Sequence, residues 1–107
     1  MDLVVEGYRT SKCFPKEEIY GLTAQFRRAA VSIPSNIAEG HGRKHVGEYL
    51  HYLSIANGSL MELETQVLIA GRLGYVSAED QEILLSRCAD VGRMLAGLIV
   101  ALKRRPR

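Results

Sequence analysis

The chain has 107 residues, 47% of them hydrophobic and 24% charged, with a formal net charge of +2. That is enough for one globular domain with one core. It excludes a second domain, a disordered chain and, with two cysteines far apart, a disulfide scaffold or a metal knuckle. No uncharged apolar run approaches the roughly 18 residues of a membrane span, and Met1-Asp2-Leu3 lacks the basic start of a signal peptide, so a cytoplasmic protein with reduced thiols is expected.

In chain order, a short first helix of about eleven residues is predicted before Phe14-Pro15, with Leu3, Val4, Val5 and Tyr8 as its apolar side. A second helix is predicted to start at Pro15, a residue tolerated at the first helical position, followed by Glu17 and Glu18. Its core stripe reads Ile19, Leu22, Phe26, Ala29, Ile33 and Ile37, and it should stop near Gly40-His41-Gly42. Pro34 removes one backbone donor and crowds the preceding turn, which predicts a kink.

The third helix is predicted from about Lys44 to Leu73. Val46, Leu50, Leu53, Asn57, Leu60, Glu64 and Val67 form one ridge, with Tyr49, Ala56, Leu63 and Ala70 beside it. Asn57 and Glu64 interrupt the ridge and are candidates for buried polar partners that fix register between helices or subunits. Gly74-Tyr75-Val76-Ser77 reads as a tight turn. The fourth helix opens on Ser77 as N-cap, carries Glu79 and Asp80 where the dipole favours acids, and repeats Leu84, Cys88, Val91, Leu95, Leu98 and Leu102 at core-facing spacing. The whole predicts an all-α, up-down-up-down four-helix bundle over residues 1–107. Its short first helix leaves part of the core groove uncovered.

The segments Phe14-Pro15-Lys16-Glu17-Glu18, Tyr20-Gly21-Leu22 and Gln25 through Gly40 resemble the bacterial four-helix-bundle family encoded in intervening sequences of large-subunit ribosomal RNA genes. Tyr49-Leu50, Gly58-Ser59-Leu60, Glu62-Leu63-Glu64 and Leu73-Gly74-Tyr75 continue the resemblance, which covers almost the whole chain. It implies a four-helix bundle assembled as a homopentamer, with no assigned activity for most members. Related accessory proteins of diversity-generating retroelements look like basic barrels that bind nucleic acid and a reverse transcriptase. The family usually begins further upstream, so either the first helix is truncated here or the start codon is placed too far downstream.

No catalytic, metal or cofactor site is expected. Glu48-x-x-His51 has di-iron spacing, but no second such motif exists, and Gly42 breaks the register between His41 and His45. Cys88 falls on the core stripe, and Cys13 beside Lys12 is a lone thiol. Arg28, Ser32, Ser35 and Glu39 share a polar stripe around Pro34. Ser32, Ser35 or Asn36 can satisfy the backbone groups the proline frees, and Arg28 can pair with a carboxylate; the functional reading is a partner-facing notch.

Charge gives the sharpest expectation. Lys103, Arg104, Arg105 and Arg107 form a basic tail, without which the remaining ten basic and twelve acidic residues leave the body at −2. An up-down-up-down bundle brings that tail to the pole of the second turn, where Arg43 and Lys44 lie beside His41 and His45. Asp2, Glu39 and Glu48 are the nearby acids. The other pole sets Lys12, Lys16 and Arg72 against Glu17, Glu18, Glu79, Asp80 and Glu82. A basic pole suits RNA or DNA, bound without sequence preference. The alternatives are a solubilising tail, a protein–protein interaction module without nucleic acid and, as a remote third, a metal-dependent enzyme.

Overall fold

The structure, a computed structural model, describes residues 2–104. Four helices run in order, α1 (Asp2–Ser11), α2 (Leu22–His41), α3 (Val46–Arg72) and α4 (Ala78–Lys103), with one 3-10 turn at Lys16–Glu18 and no strand among the described residues. Each helix packs on two neighbours: α2 on α1 and α3, and α4 on α3 and α1. α2 and α4 lie diagonally across the bundle, with no close backbone approach. This is the four-helix bundle its stripes predict.

The pairing is antiparallel throughout. The Ser32 and Ser59 hydroxyls bond at 2.8 Å across α2 and α3, and at the far end Gly40 lies against Tyr49 and Tyr52. Gly71 meets Gln81 and Gly92 meets Leu60 across α3 and α4. Between α1 and α4, Arg9 reaches Asp80 at 3.1 Å and Asp2 reaches Arg87 at 4.0 Å.

The core of α3 is Leu53, Ala56, Leu60, Leu63, Val67 and Ala70, an unbroken alternation of three- and four-residue steps. The buried seam therefore takes alternate members of the two rows read from the sequence. Asn57 falls outside it and is exposed, so it is no buried partner between helices, while Glu64 is half-buried. The buried polar side chain of α3 is Gln66. α4 buries Leu84, Cys88, Leu95 and Leu102 as its spacing predicts.

Two predicted elements are corrected. The inner side of α1 is Leu3, Gly7 and Thr10, whereas Val5 and Tyr8 face outward; Gly7 sits against Phe26, and a methyl group there would stand 3.2 Å from its ring. α2 begins at Leu22 rather than Pro15. After the 3-10 turn the chain bends at Gly21, and Glu18 accepts the Leu22 N–H at 3.4 Å, taking the place of a helical turn. Ile19 consequently leaves the core and is 46% exposed. α2 continues past Pro34 as one helix to His41.

The α3–α4 turn closes as the Gly74 position predicts. Gly74 has φ +76°, Tyr75 N–H bonds to the Ala70 carbonyl and Gly74 N–H to the Gly71 carbonyl, the Schellman pattern that satisfies the last carbonyls of a helix. Ser77 then caps α4 by accepting the Asp80 N–H at 3.0 Å.

Candidate nucleic-acid interface

The α2–α3 turn begins where α2 ends at His41, and α3 restarts after His45, whose extended backbone serves as N-cap. Residues 41–48 are all exposed. Within this turn Arg43 is not a free cation. It pairs with Glu39, donates to the Tyr52 hydroxyl at 2.9 Å and lies 5.0 Å over the Tyr52 ring. Tyr52 and then Glu39 raise its pKa further. Such local pairing holds the turn but leaves a phosphate to compete with Glu39 for the guanidinium.

Tyr49 and His41 form a second local pair, with hydroxyl and Nδ1 3.4 Å apart and the rings edge to face. Lys44 makes no ion pair among the described residues. The α3–α4 register that sets Gly71 by Gln81 and Leu60 by Gly92 carries Arg104 level with Glu48 and Lys103 level with Tyr49. The end of α4 and the α2–α3 turn thus share one end of the bundle. Lys103 and Arg104 are exposed there and make no ion pair among the described residues. Arg105 and Arg107 lie outside the described residues.

One acid leaves this pole. α1 is too short to reach it, and Asp2 stops beside Arg87, sixteen residues before Lys103 and therefore about 24 Å away along α4. Glu39 is engaged by Arg43, and Glu48 remains as the exposed carboxylate of the turn. The sequence pattern overstated both the cations and the acids of this end, because pairing and helix length are not written in composition.

The stripe around Pro34 is built differently. Asn36 donates to the Ser32 carbonyl at 2.8 Å and to its hydroxyl at 2.9 Å, and Ser32 bonds Ser59. Asn36 therefore serves the carbonyl of Ser32, not that of Ala30, which Pro34 leaves without its usual donor. Arg28 pairs with no carboxylate among the described residues, contrary to the pairing expected of it, and Glu39 turns to Arg43.

The thiols divide sharply. Cys88 is fully buried, and burial with Glu64 nearby pushes its pKa up to about 12, while Cys13 is exposed. Among the described residues no three His, Cys, Asp or Glu side chains come together as metal ligands, and no helix is long and apolar enough to cross a membrane.

Polar chemistry held on the surface and at one end, around an apolar core, is the build of the small helical-bundle proteins. Within that class the chain belongs to the family of the 23S rRNA-intervening sequence protein, whose model matches residues 1–97. The match stops short of Lys103 and Arg104. No curated protein matches the chain significantly.

Proposed function

We propose that this protein is a non-enzymatic, homo-oligomeric helical scaffold of the cytoplasm that binds RNA or DNA without sequence preference through its basic pole. The observation that carries the reading is the grouping of Lys44, Lys103 and Arg104, exposed and unpaired among the described residues, from two different elements at one end of the bundle. Cations so placed attract phosphates through released counterions, a force that carries no base information. Tyr49 and Tyr52 are the nearby rings, but Tyr52 already carries Arg43 and Tyr49 contacts His41, so stacking on bases is secondary. Arg43 acts here as a brace for the turn, and Lys44, Lys103 and Arg104 as the groups that meet phosphate, joined by the tail at 105–107.

The test is a salt titration of binding to mixed-sequence RNA and duplex DNA, for the intact chain and for one lacking residues 103–107. The intact chain should bind with an affinity falling steeply with salt. On duplex DNA the slope of log affinity against log salt should be shallower in the truncated chain, by about 0.9 for each phosphate that the tail neutralises. Equal and negligible binding by both forms sinks the reading and favours a protein–protein module.

A further inference from the structure

A broad concavity lies away from the basic pole, over the outer side of α2 and α3, with a volume of about 1200 Å³. Its floor is small: Ala29, Ser32, Gly58 and Ser59. Its rim is apolar and exposed, with Val31, Ile69 and Met61, the last 62% exposed. Small floor residues with apolar rims let another helix approach closely.

Two observations show that this face is chemically incomplete in one chain. Gln66 lines it at 9% exposure, and its buried Oε1 has no hydrogen-bond partner among the described residues. A buried amide oxygen without a donor costs stability until one arrives. Arg28 and Glu62 also line it, both exposed and neither in an ion pair among the described residues. Arg27 is already committed, with Nε donating to Ser11 at 2.9 Å and the guanidinium over the Tyr8 ring. The face thus offers one unmet cation, one unmet anion and one unmet acceptor.

Such a surface complements itself. In two copies packed parallel, α2 of one runs antiparallel to α3 of the next, just as it does within the chain. The register that sets Ser32 by Ser59 then sets Arg28 level with Glu62 of the partner subunit. The same register sets Gln25, another residue of this face, level with the partner subunit's Gln66, where its amide N–H supplies the missing donor. Parallel packing also keeps the basic poles at one end.

We infer that the α2–α3 face is the surface through which copies of this chain meet, α2 against α3, with Arg28 exchanged for Glu62 of the partner subunit. The inference rests on the homo-oligomer reading above and adds its surface and register. The relation holds in a closed pair, where the exchange occurs twice, and in a ring, where it occurs once per interface.

The experiment is sizing by light scattering and sedimentation over a concentration series, on the full chain and four variants. Arg28→Glu and Glu62→Arg should each weaken association by about tenfold or more through like-charge repulsion. The double variant should return it to within about threefold of the parent. Gly58→Leu supplies a steric test that leaves the fold alone. A Cβ at Gly58 meets nothing within 4 Å among the described residues, Gly58 lines the concavity, and replacing a mid-helix glycine favours α3. It should abolish assembly with an unchanged or raised melting temperature. An assembly indifferent to both charge reversals, or one that survives Gly58→Leu, overturns the inference alone. A parent chain monomeric at every concentration removes the oligomer reading and the inference with it.

Discussion

The two ends of the bundle are held by different means. At the acidic end, elements distant in sequence are tied together. Phe14 meets Phe26 edge to face at 5.2 Å and Tyr75 at 5.9 Å, Tyr75 donates to Glu18 at 2.8 Å, and Arg9 of α1 reaches Asp80 of α4. At the basic end α1 is absent, the α2 and α4 backbones stay apart, and Ile37, Val91 and Leu98 remain half-buried. Among the described residues its polar contacts join α2, the following turn and the start of α3. The closed end holds the fold, while the open end leaves its cations to solvent.

The largest expected effect comes from attacking the closed end. Phe14 is buried between the loop after α1, α2 and the α3–α4 turn. Phe14→Ala should cost about 3–5 kcal/mol in urea unfolding, as for other buried aromatics. A cost below about 1 kcal/mol would mean that the aromatic cluster does not hold this end.

Next is a tight approach at the basic end. A Cβ at Gly40 would stand 2.8 Å from Tyr52 Cβ and 2.9 Å from Tyr49 Cδ1, with the Tyr49 carbonyl at 3.3 Å. Two helices must separate to admit it, so Gly40→Ala should cost about 1–3 kcal/mol despite the better helix propensity of alanine. A stabilised Gly40→Ala variant would show that α2 and α3 are loosely joined at this end.

These two sites also show what was legible in the sequence. The α4 stripe and its Ser77 cap were readable because propensity, spacing and capping agree there. The α3 seam was not, since a row of seven residues and a row of four lie side by side and only packing against α2 and α4 chooses between them. The start of α2 was hidden because Ile19, Leu22 and Phe26 keep helical spacing across a bend made by Gly21 and the Glu18 side chain. Gly40 looked like a helix stop, and its second role, close approach to α3, leaves no local signal. At the basic pole the residue types were legible, but the Arg43–Glu39 pair and the retreat of Asp2 required the fold.

A pH series tests the middle of the core, between the two ends. The Cys88 thiol is held protonated, its pKa raised from 9.0 to about 12, first by burial and then by Glu64. Above pH 9 the unfolded chain loses this proton and the folded chain keeps it, so stability present below pH 9 falls as pH rises. The slope for one such group is about 1.4 kcal/mol per pH unit up to the folded pKa. Cys88→Ala should be less stable at pH 7 yet flatter between pH 9 and 11. Parallel curves for the two proteins would place the thiol in reach of solvent.

The smallest effect sharpens the comparison most directly, because each end has one tyrosine hydroxyl bonded to a charged side chain. Tyr75 donates to Glu18, 57 positions away in sequence, and the bond is half-buried; Glu18 in turn raises the Tyr75 pKa. Tyr52 accepts from Arg43, nine positions away and exposed. Removing either hydroxyl deletes one hydrogen bond, so the chemistry is matched and the difference lies in what each bond joins. The Tyr75 bond ties the 3-10 turn to the α3–α4 turn and fixes the Glu18 carboxylate that also accepts the Leu22 N–H. Tyr75→Phe should cost about 1 kcal/mol, within the usual range for such bonds. Tyr52→Phe should cost less than about 0.5 kcal/mol, as for most exposed polar groups. Equal losses in paired urea titrations would mean that both ends are held alike, and the division into a closed structural end and an open charged one would fail.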